Sequence, residues 1–189
     1  MKRDVKMNAK AIELAQLLST ITKGEYDKTY NDICETVFTT LKSGNKVFIC
    51  GNGGSHAIAL HIATEFTGRF IENKPALPVI ALGEASHLTC VGNDYGFDFI
   101  FSRQLEALGS KNDLLIAMST SGKSKNVIEA LSTAKVKDMK TIALLGKGGG
   151  TCRWIGDLHF TVPSENTARI QEIHQFLLHS VTEDVLKNL

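Results

Sequence analysis

Residues 46–69 read KVFICGNGGSHAIALHIATEFTGR, and this stretch decides the fold because it joins a strand to a helix through a glycine-rich turn. The apolar run 47–50 predicts a buried strand, and the small residues 51–55 (GNGGS) let the backbone turn sharply. Free amide N–H groups at the start of the next helix favour an anion. In that helix His61 and Glu65 are four residues apart and share one face. The stretch therefore predicts a phosphate-sized cradle with an imidazole and a carboxylate nearby.

Short apolar strands alternate with helices along the rest of the chain. The predicted strands are 47–50, 77–82, 113–118, 141–145 and 158–162, and the predicted helices are 8–21, 26–43, 97–108, 124–135 and 167–187, with a turn cluster at 92–96. This alternation predicts an α/β protein with a parallel sheet covered on both faces. Ligands of such sheets bind beyond the carboxyl ends of the strands, where the glycine- and serine-rich loops 51–55 and 119–124 are expected.

Length, composition and charge limit the classes of function. A chain of 189 residues with 43% hydrophobic residues can form one domain with a sizeable core. A net charge of +1 gives no general attraction to nucleic acid or to an anionic membrane. Lys2 and Arg3 follow Met1, but Glu13 interrupts the apolar stretch after them, so we expect no signal peptide and no membrane span.

The cysteines indicate a reducing compartment. The four cysteines are Cys34, Cys50, Cys90 and Cys152. They are scattered without a C-x-x-C pair, and one of them falls in the first predicted strand, so free thiols are expected rather than disulfides. We therefore expect a cytoplasmic protein.

A second anion-binding loop is predicted after the strand at 113–118. Its hydroxyl-bearing residues are Ser119, Thr120, Ser121 and Ser124, and a helix starts directly afterwards. Such a loop can hold a small phosphate without a metal ion. A plain N-cap at Ser124 is the alternative structural interpretation. The run ends in Gly-Lys-Ser like a nucleotide-binding loop, but Ala117 stands where that motif begins with glycine.

The C-terminal helix carries polar residues beside its apolar stripe. Gln171, Gln175 and His179 recur every four residues on one flank of this helix. From spacing alone they form the polar edge of an amphipathic helix, and His61 with Glu65 would be an ordinary surface pair. The position of that pair, two turns after a ligand-binding type of loop, favours a metal site or an acid–base site instead.

Taken together, these motifs resemble those of the bacterial phosphoheptose isomerases of the sugar-isomerase (SIS) superfamily. The matching segments are GNGGS (51–55), HIATEFTGRF (61–70), VGNDYGF (91–97), STSGKS (119–124) and ARIQEIH (168–174) with His179. The resemblance implies a three-layer sandwich with a five-stranded parallel sheet and N-terminal helices. The two predicted helices before the first strand are not needed to close an α/β core, so we expect residues 1–45 to pack on the core or to pair with another subunit, and residues 46–189 to form the sugar-phosphate isomerase domain.

The resemblance further implies the activity and the site residues. The reaction would convert sedoheptulose 7-phosphate to D-glycero-D-manno-heptose 7-phosphate through a cis-enediol, towards heptose for lipopolysaccharide core or capsule. Glu65 and His179 would be the base and the acid. The implied substrate-binding residues are Asn52, Gly53, Gly54, Ser55, Glu65, Asn93, Asp94, Ser119, Thr120, Ser121, Ser124 and Gln171, and the implied zinc ligands are His61, Glu65, Gln171 and His179. One zinc ion per subunit and a homotetramer with sites between subunits are also implied. Whether Glu65 acts mainly as base or as ligand stays open.

Two other classes of function remain alternatives. One is a non-catalytic SIS protein that binds sugar phosphates or the bacterial replication initiator, a class that lacks the acid–base residues. The other is a nucleotide-hydrolysing enzyme that uses the loop at 117–124 with Mg²⁺. We also note that Ile58 stands where the family usually has an acidic residue.

Overall fold

The computed structural model describes residues 7–189; the first six residues, which include the Lys2 and Arg3 considered above, lie outside the described part. The strands are β1 (Val47–Gly51), β2 (Val79–Ala81), β3 (Leu114–Ser119), β4 (Lys140–Leu145) and β5 (Leu158–Thr161). The helices are α1 (Met7–Ile21), α2 (Glu25–Lys42), α3 (Gly54–Thr67), α4 (Ala85–Asp94), α5 (Ser102–Leu108), α6 (Lys125–Val136) and α7 (Thr167–Asn188). Short 3-10 helices span Phe97–Phe99 and Thr151–Trp154.

The five strands form one parallel sheet in the order β2-β1-β3-β4-β5. The predicted five-stranded parallel sheet is therefore confirmed. The residues of β1 and β3 are all buried, which explains why these strands read as continuous apolar runs rather than as alternating patterns. The strand β2 lies on one side of β1, whereas β3, β4 and β5 follow on its other side, so the connections leave β1 and β3 in opposite directions across the sheet. A ligand crevice is expected at the carboxyl ends of two such strands.

Two hydrophobic cores lie on the two faces of the sheet. One face is covered by α1, α2, α3 and α7, with Ile33, Ile62 and Ile173 among the buried contacts. The other face is covered by α4, α5 and α6, with Val91, Leu105 and Leu131 among them. The molecule is the three-layer sandwich implied by the sequence, and α3 and α7 pack beside each other on the same face.

Two adjacent segments differ from their predicted structure. The turn cluster expected at 92–96 is wrong at its start, because α4 continues to Asp94. The helix begins at Ala85, and the residue before it, Glu84, is the N-cap, whose carboxylate accepts hydrogen bonds from the backbone N–H of Ser86 at 3.0 Å and of His87 at 3.3 Å. Glutamate rarely caps a helix in this way, and the glycines of the segment suggested turns, so the signal was missed. The helix predicted at 97–108 is likewise divided into a 3-10 turn and α5.

Two further observations concern the whole described chain. All four cysteines are free thiols, as predicted. Between residues 7 and 189, no helix combines the length and the apolar character that crossing a bilayer would require.

Candidate active site

Helices α3 and α7 bring three titratable side chains together on one face of the sheet. Glu65 Oε1 lies 3.3 Å from His61 Nε2 and 3.1 Å from His179 Nε2. The two imidazole nitrogens are 2.9 Å apart, although the residues are separated by 118 positions in the sequence. The packing of α3 against α7 thus converts a helical pair at i, i+4 into a cluster of three groups. Glu65 and His179, the pair expected to supply base and acid, are in contact.

The carboxylate of this cluster is buried and only partly satisfied. The side chain of Glu65 is 8% exposed, against 48% for His61 and 35% for His179. Among the described residues, its second oxygen, Oε2, is buried without a hydrogen-bond partner. Burial raises the pKa of Glu65 above its usual value, although the two neighbouring imidazoles oppose this effect. A carboxylate with a raised pKa and spare acceptor capacity is suited to accept a proton.

The same three side chains fit a metal ion. One ligand atom from each residue, two imidazole nitrogens and one carboxylate oxygen, lies within 4.8 Å of the others. A tetrahedral zinc ion with bonds of about 2.0–2.1 Å holds its ligand atoms about 3.3 Å apart. The observed separations of 2.9, 3.1 and 3.3 Å are close to that value. Three protein ligands also leave a coordination position open, as in catalytic zinc sites.

Gln171 lines a groove between the two helices, and His61 lines it too. We call this the α3–α7 groove; it has a volume of about 390 Å³ and is lined by Gly54, Ala57, Ile58, His61, Ala168, Gln171, Glu172 and Gln175. A Cβ atom on Gly54 would lie 2.7 Å from Gln171 Oε1, so the glutamine rests on the bare backbone of the first turn of α3. Gln171 precedes His179 by eight residues, about 12 Å along a helix. Its side chain reaches the glycine loop in this conformation rather than the cluster around Glu65.

The glycine-rich loop lies at the carboxyl end of β1, as predicted. Gly53 has a φ of +55°, a conformation that favours glycine, and it precedes the first residue of α3, Gly54. Ser55 is 3% exposed, and its N–H donates to the carbonyl of Asn52 at 3.0 Å. Because β1 and β3 are neighbours in the sheet, this loop lies beside residues 119–124. The two loops predicted to bind anions therefore share one edge of the sheet.

The hydroxyl-rich loop forms a compact cluster between β3 and α6. The hydroxyls of Ser119 and Ser124 are 3.1 Å apart and hydrogen-bonded. Ser121 Oγ accepts from the backbone N–H of Lys123 at 3.2 Å, and Thr120 is half-buried beside it. Ser124 occupies the N-cap position of α6 but its side chain makes no capping hydrogen bond. The alternative interpretation of Ser124 as a plain cap is therefore not realised, and its hydroxyl points into the cluster.

A close backbone contact fixes this loop against the loop that follows β4. Gly122 has a φ of +63°, and a Cβ atom there would lie 1.8 Å from the carbonyl oxygen of Gly149. Its N–H donates to Ser119 Oγ at 3.0 Å, and its carbonyl accepts from the N–H of Cys152 at 3.0 Å. Only glycine fits this position, so the hydroxyl groups are held on a rigid support.

Two expected substrate-binding residues lie apart from these groups. Asn93 and Asp94 are exposed at the end of α4, where Asn93 Nδ2 donates to Asp94 Oδ1 at 2.7 Å. Within the described residues, neither forms a hydrogen bond with the three-residue cluster or with the hydroxyl-rich loop. The single chain therefore does not join them to the rest of the candidate site.

Sequence reasoning gave no role to Asn126 and His174, two buried polar residues. The side-chain amides of Asn52 and Asn126 exchange two hydrogen bonds of 2.9 and 2.8 Å. His174, 0% exposed in α7, donates from Nε2 to the carbonyl of Leu145 at 3.1 Å, and burial lowers its pKa to about 4. Asn52 was visible as part of the glycine-rich loop, but its pairing with Asn126, 74 positions away, was not.

Comparison with known proteins assigns the family. The sequence model of the SIS domain matches residues 11–146. The phosphoheptose isomerase of Campylobacter concisus is 48% identical over 183 residues, covering 89% of this chain and 97% of the relative. The chain belongs to the phosphoheptose isomerase family. The phosphoheptose isomerase of Vibrio cholerae is also 48% identical, over 151 residues that cover 79% of each chain.

A solved structure supports the same assignment. The phosphoheptose isomerase of Francisella tularensis superposes with a TM-score of 0.91 at 35% identity, covering 95% of this chain and 96% of that one. The resemblance noted in the sequence is thus confirmed for family and fold. Members of this family are isomerases, and the chain is accordingly an enzyme of that class.

Proposed function

We propose that this protein converts sedoheptulose 7-phosphate to D-glycero-D-manno-heptose 7-phosphate, an aldose–ketose isomerisation. The observation that carries the proposal is the contact of the buried Glu65 carboxylate with His179, 3.1 Å away, in a chain of this family. The product would enter the synthesis of nucleotide-activated heptose for lipopolysaccharide core or capsule. Family membership supports the substrate, and the cluster supports the type of reaction.

The reaction needs one group that removes a proton from carbon and one that serves oxygen. In the proposed mechanism Glu65 takes a proton from C1 of the ketose while His179 donates a proton to the C2 oxygen, which gives a cis-enediol. Glu65 then returns a proton to C2 as the O1 proton leaves to His179, which gives the aldose. Glu65 is suited to the first role because its pKa is raised by burial, and imidazole exchanges protons near neutral pH.

The proposed metal is one zinc ion per subunit. His61, Glu65 and His179 would hold it, and Gln171 could join them only after its side chain turned away from Gly54. When bound, zinc would polarise the sugar carbonyl or organise the site. Glu65 keeps both proposed roles open, because only one of its oxygens faces the imidazoles.

The proposed phosphate site is the hydroxyl-rich loop together with the glycine-rich loop. The hydroxyls of Ser119, Thr120, Ser121 and Ser124 would accept the phosphate at the N-terminus of α6, with Asn52, Gly53, Gly54 and Ser55 beside them. Fixing the phosphate would position the far end of the sugar at Glu65. Asn93 and Asp94 would bind substrate only if the assembled oligomer brought them to a site.

We further propose a homotetramer with sites between subunits, in the cytoplasm. Two observations support an assembly: the imidazoles of His61 and His179 are partly exposed, and the only fully buried residue of α1 is Ile21. Exposed apolar side chains on α3 and α7, Leu60 and Phe176, could meet another copy. The N-terminal helices of residues 1–45 would then serve packing and oligomerisation.

Incubation of the purified protein with sedoheptulose 7-phosphate tests the proposal. NMR spectroscopy should show the aldose accumulating at a rate proportional to enzyme concentration. A thermal-shift panel separates the alternatives, because only a bound ligand stabilises the folded state. Stabilisation by nucleotide with Mg²⁺ would instead support the nucleotide-hydrolysing alternative, and stabilisation by sedoheptulose 7-phosphate without turnover would support a non-catalytic binding protein.

A further inference from the structure

The two candidate phosphate loops are tied together by a pair of asparagine side chains. Asn52 Nδ2 donates to Asn126 Oδ1 at 2.9 Å, and Asn126 Nδ2 donates back to Asn52 Oδ1 at 2.8 Å. Asn52 lies in the turn after β1, and Asn126 is the second residue of α6, after the hydroxyl-rich loop. The pair therefore bridges the carboxyl ends of β1 and β3, where the direction of the sheet connections reverses.

The burial of this pair makes it more than a surface contact. Asn126 is 2% exposed and lies next to Val127, which is part of the core beneath α6. A buried amide that loses its partner keeps the cost of its desolvation, so the two side chains hold each other strongly. Each amide still has one N–H and one lone pair free, and Asn52, which is half-buried, can offer these to a ligand.

We propose that Asn126 is a positioning residue that orients Asn52 and sets the spacing between the two phosphate loops. Asn126 touches the sugar phosphate only through Asn52 in this scheme, and the inference rests on the proposed isomerase function. Because the phosphate is bound by both loops, a change in their spacing weakens substrate binding. The proton-transfer groups at Glu65 and His179 lie on α3 and α7, outside the pair, so the chemical step is less affected.

Steady-state kinetics of Asn126→Leu, which has a similar shape and no amide, test this role. We expect KM for sedoheptulose 7-phosphate to rise at least tenfold while kcat stays within about threefold of the wild type. The matched control is Thr141→Val. Thr141 is 1% exposed and lies at the amino end of β4, away from the carboxyl ends where the two loops lie, and the change removes its buried hydroxyl. The control should lower thermal stability without changing KM. An unchanged KM in Asn126→Leu, or the same rise in the control, would overturn the proposal.

A double-mutant cycle separates an indirect role from an independent one. If Asn126 acts through Asn52, KM of Asn52→Ala should not rise further when Asn126→Ala is added. Multiplication of the two single effects would mean that Asn126 contributes separately, and the positioning role would be wrong.

Hydrogen exchange of the ligand-free protein gives a readout that does not depend on the enzyme activity. We expect Asn126→Leu to speed amide exchange at least fivefold in the peptide covering residues 51–57, and Thr141→Val to leave it unchanged. Exchange at the wild-type rate would contradict the positioning role even if the protein acts on another substrate. A wild-type protein without sedoheptulose 7-phosphate turnover would contradict the proposed function and leave this result intact.

Discussion

Two regions of the molecule each bury a carboxylate, and they differ in how fully its oxygens are hydrogen-bonded. At the amino edge of the sheet Asp113, 1% exposed, accepts hydrogen bonds from the backbone N–H groups of Lys46 at 2.8 Å and Ser110 at 2.9 Å, and it pairs with Lys46 Nζ at 2.8 Å. Between α3 and α7, Glu65 has one oxygen beside two imidazoles and the other without a partner among the described residues.

Hydrogen bonding also sets the pKa of a second carboxylate at the amino edge. At Asp157, which is exposed, desolvation would raise the pKa, but hydrogen bonds from Lys135 and Thr141 bring it below its usual value. The pKa of Glu65 is raised, because burial outweighs the two imidazoles. A saturated carboxylate stays charged and ties loops to the sheet, whereas an unsaturated one keeps its capacity to bind a proton or a metal. The contrast teaches that burial alone does not mark a functional carboxylate; its unused acceptor capacity does.

The largest expected effect comes from removing the charge at each carboxylate in turn. Glu65→Gln should lower kcat by a factor of about 10³ or more, because the amide keeps the shape and cannot accept the C1 proton. Stability should not fall, and sedoheptulose 7-phosphate should still raise the melting temperature. The matched control, Asp113→Asn, should keep its kcat and lose about 3 kcal/mol of unfolding free energy in urea. Isomerisation by Glu65→Gln near the wild-type rate would remove Glu65 from the chemistry.

The next effect concerns the buried imidazole of α7. His174 has a pKa of about 4 in the folded protein, below the ordinary value of 6.5, so between these pH values the unfolded chain binds a proton that the folded chain does not. The contribution of His174 to the free energy of unfolding is complete above pH 6.5. It is lost as the pH falls towards 4, by about 3 kcal/mol in total. His174→Gln keeps a donor for Leu145 and cannot titrate, so its stability should fall less between pH 6.5 and 4. Parallel pH profiles of the two proteins in urea denaturation would contradict this assignment.

Removal of metal tests the cluster around Glu65 without substrate. After chelation, zinc at a hundredfold excess over its Kd should stabilise the folded protein by about 2.7 kcal/mol. The shift in melting temperature should disappear in His61→Ala, because two of the three gathered ligands then remain. Asp113→Asn serves as the control, because the carboxylate of Asp113 already has hydrogen-bond partners for both of its oxygens. This variant should show the same zinc-dependent shift in melting temperature as the wild type. An equal zinc shift in His61→Ala would place the metal elsewhere.

The smallest expected effect lies in the hydroxyl-rich loop. Ser119→Ala combined with Ser124→Ala removes two hydroxyls that hydrogen-bond each other at 3.1 Å. We expect the affinity for sedoheptulose 7-phosphate to fall about tenfold, because hydrogen bonds to a charged phosphate are lost, with little change in the urea midpoint. Calorimetric titration measures this directly. Unaltered affinity would exclude the loop as the phosphate site and would confine the functional region to α3 and α7.

Much of the fold could be predicted because local patterns and tertiary structure agree. The apolar runs around Ile49 and Ile116 are buried strands in the structure, and the glycine-rich turn and helix follow the first of them. The helix α4 was not predicted, because its cap is the unusual Glu84 and its end carries turn-forming residues. The residues at the end of α4 favour a turn, whereas the packing of Val91 against the core favours a helix, and the structure is helical there.

The candidate site was less predictable from residue patterns alone. Spacing placed His61 beside Glu65, but the approach of His179 depends on how two distant helices pack, which periodicity does not encode. The family resemblance supplied that link. The pairing of Asn52 with Asn126 had no local signature, because its two members come from different loops.

The most direct test of the central claim follows the proton that moves between C1 and C2. The wild-type protein and Glu65→Gln would be incubated with sedoheptulose 7-phosphate in D₂O, and carbon-bound deuterium would be followed by NMR. We expect the wild-type protein to form the aldose with deuterium at C2, and Glu65→Gln to incorporate none at either carbon although it still binds the sugar. Deuterium incorporation by Glu65→Gln at the wild-type rate would contradict the claim that this carboxylate is the base.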